Sequence, residues 1–239
     1  MSRIILVSQE KGGVGKTLIS RALAEAVVDA PVFEIDASPR MIELDDRVRF
    51  FKMRADREAI ERTGGKAARA EFDPVIEALS NTRDSTIVDV GANTSVSFFK
   101  VLSDAATDLA EFGVELGVCV VVTNEAGALA EAPTLLALAK PWAKARFIIE
   151  NRLHGPVDSA WLKKVSDGAK VSGLAQQTLE DGAEEYLQAG GLTVIPRLDP
   201  AKLRAKHGIG PASRIRRDLE RFRLHAMQAV RPVAEWLVG

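Results

Sequence analysis

The sequence predicts an α/β fold: one doubly wound, mostly parallel sheet with helices on both faces. Three observations carry this. Short runs rich in Ile, Val and Leu alternate along the chain with longer helical patterns, the order of successive βαβ units. The strongest run is apolar throughout, as a strand covered on both faces is. Between the first run, Ile4-Ile5-Leu6-Val7, and the first helical pattern lies Lys11-Gly12-Gly13-Val14-Gly15-Lys16-Thr17, a glycine-rich loop in the strand–loop–helix setting that phosphate binding requires.

Taken in order, the first strand is predicted over residues 4–8 and the first helix over 17–29. Residues 31–36 form the second strand and deliver Asp36 at its end. Residues 40–71 hold nine basic and seven acidic residues, and helical pieces broken at Gly64-Gly65 are expected there. Residues 72–81 read as a helix with Pro74 in its first turn. A strand over 85–90 carries Asp89 near its end, and a helix spans 95–112. The strand over 117–123 is followed by a helix over 126–140, where Pro133 marks a kink or the true start. Another strand covers 145–150. Residues 158–189 contain helical segments separated near 168–173. A short last strand over 192–195 is stopped by Pro196. The remainder is helical, with breaks at 208–211 and Pro232. Asp36, Asp89, Thr123 and Asn151 all fall at carboxyl ends of strands, the edge where open α/β sheets bind ligands.

Composition fits a single domain over residues 1–239 with a basic C-terminal helical region from about 197. Net charge is −1, unevenly spread: residues 197–239 have ten Lys/Arg against four Asp/Glu, hence +6, leaving −7 for the rest. Such asymmetry suggests a polyanion-facing end. The one cysteine, Cys119, lies in an apolar run and reads as a buried structural thiol. The three histidines, His154, His207 and His225, lack the spacing of an imidazole metal site. No signal peptide and no membrane-spanning run is evident, so a cytoplasmic protein is expected.

The loop's glycines let the backbone curl so that successive N–H groups face an anion, and the following helix N-terminus adds partial positive charge. Lys16 is placed to reach the outer phosphates, and the Thr17 hydroxyl to ligate Mg²⁺. The usual pattern, G-x-x-x-x-G-K-[ST], would put its first glycine at Glu10; a second lysine, Lys11, opens the loop instead. KGGVGKT resembles the deviant Walker A loop of the ParA/MinD ATPases, a family that includes the nitrogenase iron protein. The resemblance implies a P-loop NTPase fold of the deviant Walker A class, with ATP and Mg²⁺ bound and a homodimer formed on ATP binding. Lys11 is then the lysine that crosses to the partner's nucleotide. Gly12, Gly13, Val14, Gly15, Lys16, Thr17 and Leu18 would surround the phosphates.

Thr86-Ile87-Val88-Asp89 has the form of a Walker B strand, although an acid there also suits a turn or helix cap. Asp36-Ala37-Ser38-Pro39-Arg40 resembles the family's switch I motif, D-x-D-P-Q. Asp36 and Pro39 match; Ser38 replaces the second aspartate, associated with positioning the attacking water, and Arg40 replaces the glutamine. Lys11, Lys16, Asp36 and Asp89 are the implied catalytic set, and Thr17, Asp36 and Asp89 the metal ligands. A serine hydroxyl bonds water but holds no proton as a carboxylate does. Turnover is therefore expected to be weak, or served by Glu43 or Asp45. Gly91-Ala92-Asn93 would be switch II. Asn151-Arg152 resembles the family's adenine-reading asparagine segment, though Asn151 also fits a turn. The stretch around Pro196 resembles the segment packed beside the base.

In the tail, Ile215, Leu219, Phe222, Met227 and Val230 approach helical spacing. Arg214, Arg216, Arg217, Arg221 and Arg223 fill positions between them. Arg214–Asp218 and Arg216–Glu220 pairs would make this a packed helix with a solvated face. The same arginines, with Arg214, Arg216, Arg217 and Arg221 foremost, would also suit the non-specific DNA binding of ParA-type proteins. The reading is thus a ParA-like ATPase acting in plasmid or chromosome partition, with a ParB-like adaptor as a further implied partner. A MinD-like membrane-cycling ATPase and a nucleotide-sensing or conjugation-accessory protein are the alternatives.

Overall fold

A computed structural model describes residues 1–53, 66–152 and 154–239 of the chain. Among these residues seven strands form one parallel sheet in the order β3-β2-β4-β1-β5-β6-β7. They are β1 (Ser2–Ser8), β2 (Val32–Asp36), β3 (Val48–Lys52), β4 (Thr86–Val90), β5 (Val114–Val122), β6 (Ala145–Asn151) and β7 (Lys170–Leu174). The helices are α1 (Lys16–Ala26), α2 (Lys66–Asn81), α3 (Ser95–Glu111), α4 (Ala126–Ala139), α5 (Ser159–Ser166), α6 (Ala183–Gly190), α7 (Pro200–His207) and α8 (Ile209–Val238). The strand order reverses direction at β1, which places the loop after β1 at the crevice where such sheets bind ligands.

Two apolar layers sandwich the sheet. One joins α1 and α8 to alternate residues Ile5, Val7, Ile87, Cys119 and Val121. The other joins α2, α3 and α4 to Ile4, Leu6, Val88, Val118 and Val120. Cys119 is fully buried, and burial pushes its thiol well up from the ordinary range. β1 has both neighbours, β4 and β5, so its ladder is paired on each side and apolar side chains suit either face.

Several elements differ from expectation. Where helical pieces were expected after residue 40, a 3₁₀ helix (Ile42–Arg47) leads into edge strand β3. The Arg49 guanidinium lies over Phe33 and Phe51, so charge caps an exposed strand edge. Gly64-Gly65 lie outside the described residues. α2 begins at Lys66, not at 72, so Pro74 is interior; Ala68, Phe72, Val75 and Leu79 form its buried stripe. β7 occupies part of a stretch read as a helical break, and is the other edge of the sheet. The strand expected over 192–195 is a 3₁₀ helix, Gly191–Arg197. Leu192 and Ile195, three residues apart, are buried together, matching a three-residue turn and not a two-residue strand period. Gly208 separates α7 from α8, Pro211 sits in the first turn of α8, and Pro232 is carried inside that helix without a break.

Candidate nucleotide site

The loop 11–17 leaves β1 and enters α1 through two left-handed glycines, Gly13 at φ +81° and Gly15 at φ +93°. A Cβ on Gly13 would meet nothing within 4 Å, and Gly12 and Gly13 are exposed, so the loop is open to solvent there. A Cβ on Gly15 would collide with Asn151 Nδ2. That amide donates to Val14 O at 3.0 Å, so Asn151 ties the end of β6 to the loop. Both features need glycine at position 15.

Lys16 is buried, and its Nζ donates to Lys11 O at 3.3 Å. Burial lowers its pKa, Asp89, Asp36 and Glu10 raise it, and Arg40 lowers it further, the net being downward. An ammonium held in this way gains from an incoming anion. Thr17 Oγ1 donates to Asp89 Oδ2 at 2.9 Å, and Ser20 Oγ to Asp89 Oδ1 at 2.7 Å. Burial pushes the Asp89 carboxyl up, and these two hydroxyls oppose the shift. Asp89 therefore faces the loop and α1 and is no turn or cap residue. Ser20 was not foreseen; its position one helical turn after Lys16 and Thr17 was the available signal.

Asp36 stands at the end of β2. Its Oδ1 accepts Ala37 N–H at 2.6 Å and its Oδ2 accepts Arg40 Nε–H at 3.0 Å. Gly91 allows this approach: a Cβ there would lie 2.8 Å from Ile35 O and 3.0 Å from Asp36 Cγ. Glu43 is engaged by Arg21, whose Nη2 also donates to Arg40 O at 2.7 Å. Its carboxylate is thus committed to holding the loop. Asp45 has φ 48° and is exposed.

Glu10 and Gln9 explain the missing first glycine. Glu10 does not have the positive φ that would demand one. Its Oε1 accepts Val96 N–H at 2.6 Å at the start of α3, and its carbonyl accepts Asn93 N–H at 3.0 Å. Gln9 is fully buried and donates to Val121 O and Ala128 O, both at 3.1 Å. Lys11 is exposed; its Nζ lies 3.7 Å from Glu125 Oε2 of the same chain, and its stem crosses Gly127.

Arg152 pairs with Glu150 at 2.9 Å at the end of β6. Pro196 is exposed in the 3₁₀ helix, which rests against α1's layer through Leu192 and Ile195. Leu18 is partly buried on α1. In the tail, Arg216 pairs with Glu220 as expected, at 2.8 Å. Arg214 instead reaches Glu180 at 2.7 Å, and Asp218 is met by Arg217 at 3.4 Å. Arg221 is exposed on α8.

The residues fit a magnesium–nucleoside triphosphate. The loop is an open cradle with an ammonium at its base, and a hydroxyl and a carboxylate lie beside it. No group of three or more His, Cys, Asp or Glu able to hold a metal occurs among the described residues. A hydroxyl, one or two carboxylates and substrate phosphates are the donor set Mg²⁺ uses. No described helix is long and apolar enough to cross a membrane.

No protein-family model matches the chain. Protein TraL of Escherichia coli is 28% identical over 165 residues; the match covers 66% of this chain and 66% of TraL, just under two thirds of that relative. Among solved structures, the MinD cell division protein of Aquifex aeolicus is similar at 14% identity and TM-score 0.45, over 92% of this chain and 96% of that one. An ATP complex of a Cyanothece McdA variant is similar at 12% identity and TM-score 0.47, over 92% and 96%. A plasmid partition protein from Borrelia burgdorferi is similar at 13% identity and TM-score 0.45, over 82% and 99%.

Proposed function

We propose that this chain, whose loop resembles that of the ParA/MinD ATPases, is a magnesium-dependent ATP-binding dimer switch of the partition type, with slow hydrolysis. The observation that carries the reading is the open glycine cradle, with the buried Lys16 ammonium and the Thr17–Asp89 pair beside it. Lys16 and the loop amides would neutralise the phosphates. Thr17, Asp89 and Asp36 would hold Mg²⁺, which supplies charge neutralisation of the phosphoryl group when bound. Asn151, Arg152 and the Pro196 segment would flank the base. Lys11 would leave Glu125 and serve the partner's nucleotide. A ParB-like adaptor and arbitrary DNA are the partners of this reading.

Lys16→Ala should abolish binding of a fluorescent ATP analogue. Lys11→Ala should retain binding but lose ATP-dependent dimerisation by light scattering. A Lys11→Ala protein that dimerises as well as the parent removes the trans assignment.

Slow turnover is supported by Ser38 and by the commitment of Glu43 to Arg21, and it also favours a nucleotide-sensing or conjugation-accessory role. Ser38→Asp should raise the single-turnover rate by about tenfold or more. Equal rates would sink this part of the reading.

A further inference from the structure

We propose that Arg40, held here against Asp36, is a terminal-phosphate ligand, so that the chain prefers nucleoside triphosphate to diphosphate through a guanidinium of its own 36–40 loop. The inference rests on the reading of loop 11–17 as a nucleotide site.

The backbone of Arg40 is fixed on both sides. Its N–H donates to Glu34 Oε1 at 2.6 Å, and its carbonyl accepts from Arg21 Nη2 at 2.7 Å. Neither anchor is loose. Glu34 is fully buried on β2, in register with Asp89 on β4, and Arg21 is held by Glu43. The side chain of Arg40 is different: it is 58% exposed and its ion pair is with Asp36, at 3.0 Å. A firm pivot therefore carries a long, exposed arm whose ion pair is with Asp36.

The arm begins in the right place. Asp36 packs against Gly91, two residues beyond Asp89, and the next residue, Ala92, lies 3.7 Å from where a Cβ on Gly12 would be, so the carboxylate that holds Arg40 sits beside loop 11–17. The Arg40 charge is felt at the Lys16 ammonium, where it acts against the acids. Asp36 has competing uses in this site: it is a candidate metal ligand and also the counter-ion that holds Arg40. Once Asp36 turns to the metal, Arg40 loses its partner, and the nearest new anion in the cradle is the outermost phosphate. A guanidinium's planar fork of donors suits phosphate oxygens. Relative to the D-x-D-P-Q pattern, this loop has lost a carboxylate at Ser38 and gained a cation at Arg40. Both changes favour holding a triphosphate over activating a water.

The test is fluorescence titration with labelled, non-hydrolysable ATP analogue and labelled ADP, each with Mg²⁺, on the parent, Arg40→Ala, Arg40→Lys and Lys16→Ala. Arg40→Ala should weaken the triphosphate analogue by about tenfold while ADP affinity stays within about twofold. Arg40→Lys should recover part of the loss, since it restores charge without the fork. The thermal midpoint of nucleotide-free Arg40→Ala should match the parent, which separates a ligand role from a structural one. An unchanged triphosphate affinity in Arg40→Ala, or an equal loss for both nucleotides, overturns the proposal while leaving the loop reading intact. A parent protein that binds neither nucleotide overturns both. Loss of both nucleotides in Lys16→Ala assigns the signal to the loop.

Discussion

Gly15 shows how closely one atom is specified in this site. It must hold φ +93°, and its missing Cβ leaves room for the Asn151 amide that bonds Val14 O. Gly15→Ala therefore meets two separate penalties. The left-handed backbone alone costs about 1–3 kcal/mol, and the collision either displaces Asn151 or distorts the cradle. The variant should melt earlier and lose nucleotide binding. Adding Asn151→Ala clears the collision but not the torsion, so the double variant should regain only part of the stability by denaturant titration. A double variant no better than Gly15→Ala would mean the amide already moves aside freely. At this scale the sequence was a good guide to chemistry and a poor one to partners. Lys16, Thr17, Asp36 and Asp89 could be named because a glycine loop, a strand end and an apolar–acid pattern are local. That Asn151 donates to the loop, or that Ser20 donates to Asp89, depends on β6 and β4 arriving from elsewhere in the chain.

Elements with a buried face were legible, and those at the edges were not. β1, β5 and β6 each contain an unbroken, fully or almost fully buried apolar run, residues 4–7, 118–122 and 147–149, and that run marks them. β3 and β7 each pair on one side and stand partly in solvent; their sequences, VRFFK and KVSGL, look like charged or broken helix. α8 was legible as a helix, but its role as a brace across three strands was not. Trp236 lies over Gly117 of β5, with its ring centroid 6.2 Å from Phe147 of β6. The Arg3 guanidinium of β1 sits 5.6 Å from the same ring and donates to Trp236 O at 2.7 Å. Trp236→Ala should therefore destabilise by about 2–4 kcal/mol in urea unfolding, with nucleotide affinity preserved under native conditions. The start of the same helix is tied by Arg214 to Glu180, whose carboxyl is held below its ordinary value chiefly by that hydrogen bond. A depressed acid of this kind contributes stability above the ordinary Glu range, and the contribution fades as pH falls through its lowered value. Arg214 is exposed and Glu180 half-buried at the surface, so the effect should be small and salt-sensitive, and should vanish in Arg214→Ala.

For the whole molecule, charge counted along the chain overstates charge available in space. The +6 of residues 197–239 suggests a strong polyanion face. In the fold Lys206, Arg214 and Arg223 reach carboxylates outside this segment, those of Glu185, Glu180 and Glu25, while Arg216, Arg217 and Arg231 meet Glu220, Asp218 and Glu235, which the +6 already subtracts. Arg221 is exposed on the same helix, and no carboxylate pairs with it among the described residues. The exposed Arg197, Lys202 and Arg204 add to this face, and in the proposed ATP-dependent dimer a second copy would double it. Gel shifts on arbitrary DNA with a non-hydrolysable ATP analogue should show retardation that weakens with salt, and little with ADP. Because each phosphate contact adds nearly one to the slope of log affinity against log salt, Arg221→Ala should lower that slope by about one per chain. Arg214→Ala, which first has to abandon Glu180, should lower it by less. Equal slopes for the parent and both variants would take the C-terminal helix out of DNA binding, leaving it only the brace role that Trp236 already supports.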